Sequence, residues 1–282
     1  MTEAEAPPYR VLITGKIHPS GVEALSREPD LQVEFRPDLP LEEVRAAMGP
    51  VHCLITRSET PVGRDLIDAA PSLKVIARAG VGIANIDVAH ATDRGILVMN
   101  TPAKNTNSAA ELTMALLLAL VRKLTHAHQT LQAAGWDRHR FQGLELMHKT
   151  IGIVGLGNVG HRMARFCRGF DMRVLAYYPY IPDETFQRHR AEQVDWETLL
   201  AESDIITVHT PKNEETAGMI GADEIARMKP GVLLLNAARG GIINEEALLA
   251  GLTEGHVAGA GIDTWDEEPL KHNRFRELPN VV

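Results

Sequence analysis

The segment Gly155-Leu156-Gly157-Asn158-Val159-Gly160 stands directly behind a buried-strand pattern, Thr150-Ile151-Gly152-Ile153-Val154, and directly ahead of a helical one with apolar Val159, Met163, Phe166 and Cys167. Three glycines at this spacing give a tight turn at Gly155, a close backbone approach to a pyrophosphate at Gly157, and close packing of helix on strand at Gly160. The unpaired N–H groups of the helix start, with roughly half a unit of positive dipole charge, then face the phosphates. A glycine-rich loop that binds nothing is the alternative. A lone triplet would not decide between the two, but the correct flanks on both sides favour dinucleotide binding. Asn158 and Val159 belong to the same expected cofactor contact.

The pattern around this turn repeats through the chain. Short β-rich runs at 11–13, 31–35, 53–55, 74–77 and 96–98 alternate with helical patterns at 21–27, 41–48, 63–69 and 87–94. Such alternation with short connections predicts a parallel sheet covered on both faces. The polar stretch Asn100 to Ser108 follows, then an apolar helix expected from Ala109 to about Gln132, with Ser108 as its N-cap and Glu111 completing a capping box. The Leu112, Leu116, Leu120 series on that helix suits a partner chain and burial within one chain equally well. A second alternation predicts strands at 151–154, 173–177, 205–209, 232–235 and 258–263, and helices at 159–169, 223–228 and 245–254. The fold class is therefore α/β, with two doubly wound parallel-sheet domains.

Composition excludes several classes of partner. The net charge of −8 argues against a nucleic-acid footprint, which needs clustered Lys and Arg on one face. The longest apolar stretch, 112–121, is about half of the roughly 20 residues a membrane span needs, so no membrane partner is expected. Two cysteines, Cys53 and Cys167, make neither a disulfide framework nor a thiolate metal site; no metal is expected. Residues 1–8 are acidic and proline-bearing, without a signal peptide's basic start or apolar core, and the expected location is the cytoplasm.

A carboxylate about 20 residues beyond the glycine turn ordinarily accepts the ribose hydroxyls. Tyr178 stands there, at the end of Arg173-Val174-Leu175-Ala176-Tyr177. Both the grip on the ribose diol and the repulsion of a 2′-phosphate are then missing. Arg188 and Arg190, ten or more residues further, are too distant to bind a 2′-phosphate, so NAD is expected and NADP stays open. Tyr178 either bonds the ribose or covers the adenine edge.

Four further segments carry a resemblance: Asn236-Ala237-Ala238-Arg239-Gly240-Gly241, Gly261-Ile262-Asp263-Thr264-Trp265-Asp266-Glu267-Glu268-Pro269, Val208-His209-Thr210-Pro211, and Asn105-x-x-Ser108-x-x-Glu111. In this order they resemble the D-isomer-specific 2-hydroxyacid dehydrogenases over nearly the whole chain. Arg57-Ser58, Arg78-Ala79-Gly80-Val81-Gly82 and Trp136-x-Arg138-x-x-Phe141-x-Gly143-x-Glu145-Leu146 are similar to the subgroup that oxidises 3-phosphoglycerate at the start of serine biosynthesis.

The resemblance implies a flavodoxin-like substrate domain over 1–103 and a Rossmann NAD-binding domain over 104–282. It implies hydride transfer between NAD and C2 of a small 2-hydroxy acid, and a homodimer formed through the cofactor domain. Arg239 would bind the substrate carboxylate and polarise the C2 oxygen, as the fork of a permanently charged guanidinium suits; a surface ion pair is its plainer alternative. Glu268 would orient a histidine and raise its pKa, so that the imidazole takes the hydroxyl proton; a solvated loop acid is the alternative. Asp263 would sit near the nicotinamide carboxamide. Val81, Thr210, Ala237 and Ala238 would line the cofactor through backbone and packing. Arg57, Ser58, Gly82 and Asn105 would hold the carboxylate or phosphate end of the substrate, as would Arg138, which otherwise reads as a solvated arginine.

The family's catalytic histidine follows Leu-Pro-Asn-Val in a Pro-His-x-Gly segment. Here Leu278-Pro279-Asn280-Val281-Val282 is reached, and none of the twelve histidines stands in that setting. The expectation is a C-terminally truncated chain that lacks the general base, the next strand of the cofactor sheet and the return segment of the substrate domain; His209 is a weak substitute. Glycerate or glyoxylate, lactate, and a phosphonate relative are alternative substrates. A non-enzymatic NAD-sensing scaffold, similar to the C-terminal-binding corepressors, is the alternative of another class.

Overall fold

The computed structural model describes residues 9–282, so the reading of residues 1–8 as lacking a signal peptide lies outside the described residues. The chain forms two units divided between Asn105 and Thr106. This is two residues beyond the expected division, at the point where α5 begins; the preceding segment bonds into the first unit, the Asn100 amide donating to the Val81 carbonyl at 2.7 Å and the Thr101 N–H to Gly80 at 3.0 Å.

The first unit runs β1 (Tyr9–Ile13), α1 (Pro19–Ser26), β2 (Leu31–Phe35), α2 (Leu41–Ala47), β3 (Cys53–Thr56), α3 (Arg64–Asp68), β4 (Val75–Arg78), α4 (Val88–Asp93) and β5 (Leu97–Met99). Its sheet is parallel in the order β2-β1-β3-β4-β5, the flavodoxin-like winding. Leu12, Leu54 and Ile76 on the three inner strands, with Val44, Ile67 and Ala91 from the helices, build its core.

The second unit opens with α5 (Thr106–Val121) and α6 (Leu124–Gln132). It continues with β6 (Thr150–Val154), α7 (Asn158–Arg168), β7 (Arg173–Tyr177), α8 (Asp183–His189), β8 (Glu192–Gln193) and α9 (Trp196–Glu202). It closes with β9 (Ile205–Val208), α10 (Ala222–Arg227), β10 (Val232–Asn236), α11 (Glu245–Glu254) and β11 (Val257–Ile262). Its parallel sheet has the order β8-β7-β6-β9-β10-β11, a Rossmann winding that reverses between β6 and β9. Every residue of β6, β9 and β10 is buried, as expected of central parallel strands with helices on both faces.

The predicted single helix 109–132 is two. Lys123 adopts a left-handed φ of +52° between α5 and α6. Helix α5 buries Ala110, Thr113, Met114, Leu117 and Val121, a regular helical stripe, whereas α6 buries nothing, so no core holds the two in line. The helix also begins at Thr106, which places Ser108 inside its first turn and not at an N-cap. Leu116 and Leu120 pack against Gly261 and Gly259 of β11, where a Cβ would come within 3.0 Å of Leu116 Cβ and 2.8 Å of Leu120 Cδ1. Burial within one chain therefore accounts for these two leucines, and Leu112 is left partly exposed.

The stretch between β7 and β9, to which the sequence reading assigned nothing, holds α8, β8 and α9. A signal was present: the Asp195 carboxylate accepts from the Thr198 N–H at 2.8 Å and caps α9. The outer edge of β11 is paired. Ala260 N–H donates to Asn280 at 2.9 Å, Val282 N–H to Ala260 at 3.0 Å, and Ile262 N–H to Val282 at 2.9 Å.

Two glycines of the opening turn act on this packing. Gly155 has φ +94°, and a Cβ there would lie 2.7 Å from Thr210 Cγ2. A Cβ on Gly160 would overlap the Gly155 carbonyl oxygen, so α7 lies on β6 at a distance only glycine permits. Gly160→Ala is expected to destabilise the protein by about 1–3 kcal/mol in urea unfolding. Gly157→Ala, with nothing within 4 Å of the new methyl, should cost less, about 1 kcal/mol, the difference between a glycine and an alanine N-cap.

Candidate active site

All strands of the second sheet run the same way, so the loops leaving their carboxyl ends gather along one edge. The glycine turn leaves β6 there. Tyr178 leaves β7, Thr210 leaves β9, Ala237 to Arg239 leave β10, and Asp263 to Glu268 leave β11.

Gly157 is the N-cap of α7 in an extended conformation, and no side chain caps the helix. Its φ of −76° demands no glycine, and a Cβ there would meet open space. Nothing inside the chain requires glycine at 157; a close backbone approach by a ligand would. Asn158, exposed, and Val159, half-buried, form the first turn of α7, which has no acidic residue to neutralise its N-terminal charge. Thr210 is buried against Gly155, and its Oγ1 has no hydrogen-bond partner. A cradle with open space at Gly157, uncapped helix N–H groups and an orphaned hydroxyl fits a dinucleotide.

Between the ends of β7 and β9, beside this turn, lies a cavity of about 160 Å³, bounded by Val154, Tyr178, Tyr180, Thr210, Pro211 and Glu215 among others. Tyr178 is half-buried, and its ring meets that of Tyr180 edge-on at 5.9 Å. The sequence reading missed Tyr180, Asn213 and Glu215; the polar run Lys212 to Thr216 just after a buried strand was the available signal.

After β10 the chain folds back on the Asn236 side chain, which accepts from the Ala238 N–H at 3.1 Å and donates to the Arg239 carbonyl at 2.8 Å. This staple, also unrecognised in the sequence, fixes Ala237 and Ala238, half-buried, and turns Arg239 outward. The Arg239 guanidinium bonds the Ala238 carbonyl at 2.6 Å and enters no ion pair among the described residues, so the surface-pair alternative is not what forms. The neighbouring Gly240 abuts the Trp265 carbonyl so closely that a Cβ would overlap it, which sets the Arg239 turn against the Trp265–Glu268 loop. In that loop Glu268 accepts the Trp265 N–H at 3.1 Å. Asp263 donates its N–H to the Asn236 carbonyl at 3.0 Å. Burial, and then the Glu268 carboxylate, hold its carboxyl above the usual range.

His209 is half-buried beside this edge, and its Nε2 lies 2.9 Å from the Thr207 hydroxyl. Burial pushes the imidazole down to about 4. Cys53 and Cys167 are free thiols raised by burial to about 11 and about 12, so neither is a nucleophile near neutral pH.

Of the other sequence-derived candidates, Arg57 and Ser58 leave β3, Val81 and Gly82 follow β4, and Asn105 ends the first unit. The Arg57 side chain bonds the Lys16 carbonyl at 2.9 Å through Nη1, while its Nε is buried without a partner. Ser58 and Asn105 are exposed, and Gly82 is half-buried. Arg138 is separate: it is exposed in the 133–149 connection, which leads to the amino end of β6, and no described contact brings it to the carboxyl edge of its unit.

Residues 114–282 match the family described as D-isomer specific 2-hydroxyacid dehydrogenase, NAD binding domain. The chain belongs to this family. The matched segment is an NAD-binding domain, NAD is the cofactor, and the cradle at Gly157 is where its pyrophosphate fits. It is 42% identical, over 97% of its length, to the D-3-phosphoglycerate dehydrogenase of Archaeoglobus fulgidus, and 41% over the same share to that of Methanocaldococcus jannaschii. It spans about half the length of these relatives, 52% of each. A crystal structure of a Thermus thermophilus protein superposes with a TM-score of 0.88 at 34% identity, covering 97% of this chain and 88% of that one. A glyoxylate reductase from Paecilomyes thermophila superposes at 0.87 with 30% identity, covering 98% and 87%.

Two titrations test the electrostatics. Glu268→Gln should lower the Asp263 titration midpoint in carbon-detected NMR, but only part of the way to the ordinary value, because burial is the larger cause. His209 stays neutral when folded while the unfolded chain protonates it near 6.5, so its contribution to stability is present above that pH and is lost as pH falls toward about 4. His209→Gln should therefore reduce the stability lost between pH 7 and pH 4.5 in urea unfolding; an unchanged loss contradicts the assignment.

Proposed function

We propose that the chain carries the cofactor and carboxylate-binding part of an NAD-dependent dehydrogenase that oxidises the C2 hydroxyl of D-3-phosphoglycerate, the reaction at the start of serine biosynthesis. The observation that carries this reading is Arg239, an unpaired guanidinium held outward at the carboxyl edge by the Asn236 staple. When bound, NAD supplies the hydride acceptor. Arg239 binds the substrate carboxylate through its fork of donors and draws charge onto the C2 oxygen. Glu268, free of any cation among the described residues, holds its charge where it raises the pKa of an adjoining imidazole. His209 does not suit that role, because burial keeps its ring neutral and it is engaged with Thr207. Asp263 lies by the nicotinamide, and Val81, Gly155, Gly157, Asn158, Val159, Gly160, Tyr178, Thr210, Ala237 and Ala238 form the cofactor's walls. Arg57, with its unpartnered Nε, Ser58, Gly82 and Asn105 take the charged ends of the substrate, and Arg138 serves a phosphate from a neighbouring copy. These assignments rest on the motif resemblance to the family and, for the residues in loops that follow strands, on their placement at a carboxyl edge.

Similarity to a glyoxylate reductase supports oxidation of a smaller 2-hydroxy acid as a second reading. A scaffold role is the weaker one, since an uncompensated Arg239 has no use there. Residues Leu124, Leu131, Trp136, Leu144 and Met147 expose apolar surface on α6 and the connection after it, Trp136 at 79%, and this supports a homodimer formed through the cofactor unit. Among the described residues no helix is long and apolar enough to cross a membrane. The two free thiols suit a cytoplasmic setting.

Full-length protein given D-3-phosphoglycerate and NAD should produce NADH absorbance; activity with glycerate alone selects the second reading, and tight NAD binding without turnover of any 2-hydroxy acid selects the scaffold. Arg239→Ala should raise KM and lower kcat together, a loss on the order of 10²-fold or more in kcat/KM. Trp136→Glu should shift sedimentation from dimer to monomer.

A further inference from the structure

The second sheet lacks the acid that ordinarily ends its second strand, and another carboxylate stands across the same cavity. With the pyrophosphate on the start of α7, the adenosine half of the cofactor extends toward the ends of β7 and β9, where the 160 Å³ cavity opens beside Val154 and Thr210. Tyr178 and Pro179 bound it on the β7 side and carry no charge. Glu215, from the loop after β9, is the one charged residue in its lining among the described residues.

That loop is built to hold its position. The Asn213 side chain accepts from the N–H of Glu215 at 3.0 Å and of Thr216 at 2.9 Å, and the Thr216 hydroxyl donates to the Pro211 carbonyl at 2.7 Å. The Tyr180 hydroxyl donates to Glu215 Oε2 from the opposite wall. No described lysine or arginine lines the cavity, and Lys212, in the same loop, is turned away to Asp266 at 3.7 Å. A phosphate entering here meets a carboxylate and no compensating cation, whereas a free ribose hydroxyl meets an acceptor.

We propose that Glu215, positioned by Tyr180, replaces the missing strand-end carboxylate and selects a dinucleotide with a free 2′-hydroxyl over one with a 2′-phosphate. Glu215 is the specificity-determining residue and Tyr180 a positioning residue. The bond to Glu215 also raises the Tyr180 phenol above its ordinary value, so the ring remains a donor across the neutral range. Both side chains are exposed, so their replacement leaves the core untouched.

The inference builds on NAD as the family's cofactor, and binding alone reads it out. The full-length protein is titrated with NADH and with NADPH, following quenching of its own fluorescence. Wild type should bind NADH at least about tenfold more tightly than NADPH. Glu215→Gln should reduce that ratio on the order of five- to tenfold, mainly through tighter NADPH binding, and Glu215→Lys should reduce it further. Tyr180→Phe should lower the ratio in the same direction by less. A ratio unchanged in both Glu215 variants, or equal binding of the two by wild type, overturns the proposal. Failure of wild type to bind either dinucleotide overturns the cofactor assignment as well, and so is distinguished from it.

Discussion

The contact on which the cofactor unit depends is the one between α7 and β6 at Gly160. Helix and strand approach until a Cβ on Gly160 would overlap the Gly155 carbonyl oxygen. Because α7 is that close, its free N–H groups open directly onto the edge where β6 ends, and Thr210 is drawn over Gly155 from the neighbouring strand. A helix displaced by the width of one methyl would withdraw both from a bound pyrophosphate.

The charges at the carboxyl edge divide into two kinds. Most of the protein's ion pairs are solvated surface contacts, such as Arg173 with Glu192 and Glu202, and such pairs contribute little to stability. Arg239, Glu268 and Asp263 are outside them. Each is fixed instead by hydrogen bonds to or from backbone, which orient the chain while leaving the side-chain charge uncompensated. On the proposed function, charge of this kind is held ready for a ligand's charge.

How much of this was legible in the sequence depended on how local its cause was. The central strands announced themselves as unbroken apolar runs, because both of their faces are covered. The glycine turn was legible for the same reason: its backbone demands lie within six residues. The break at Lys123 was not, since the apolar pattern runs through it and the interruption comes from where the core ends beneath the helix. Elements α8, β8 and α9 are short and polar, and their existence depends on neighbours that pair with them. In the site, the sequence singled out Arg239 and Glu268 by their motif context, and the structure sets both in the loops that leave the carboxyl ends of β10 and β11. Glu215 was not singled out, because the loop after β9 meets the end of β7 only across a cavity, a juxtaposition no spacing along the chain reveals.

The bare face of β11 has a consequence for how the molecule comes to be assembled. Gly259 and Gly261 contribute no side chains of their own; their surface is completed by Leu120 and Leu116 of α5. The first helix of the unit thus lies against its last strand, so this part of the core joins segments with the whole intervening sheet between them in the chain. Contacts of such span form slowly, because a long loop must close before they return any free energy. On a ribosome, α5 emerges long before its partner and must wait with Leu116 and Leu120 uncovered, which makes the interval before β11 is synthesised the stage at which the nascent chain is most open to association with others.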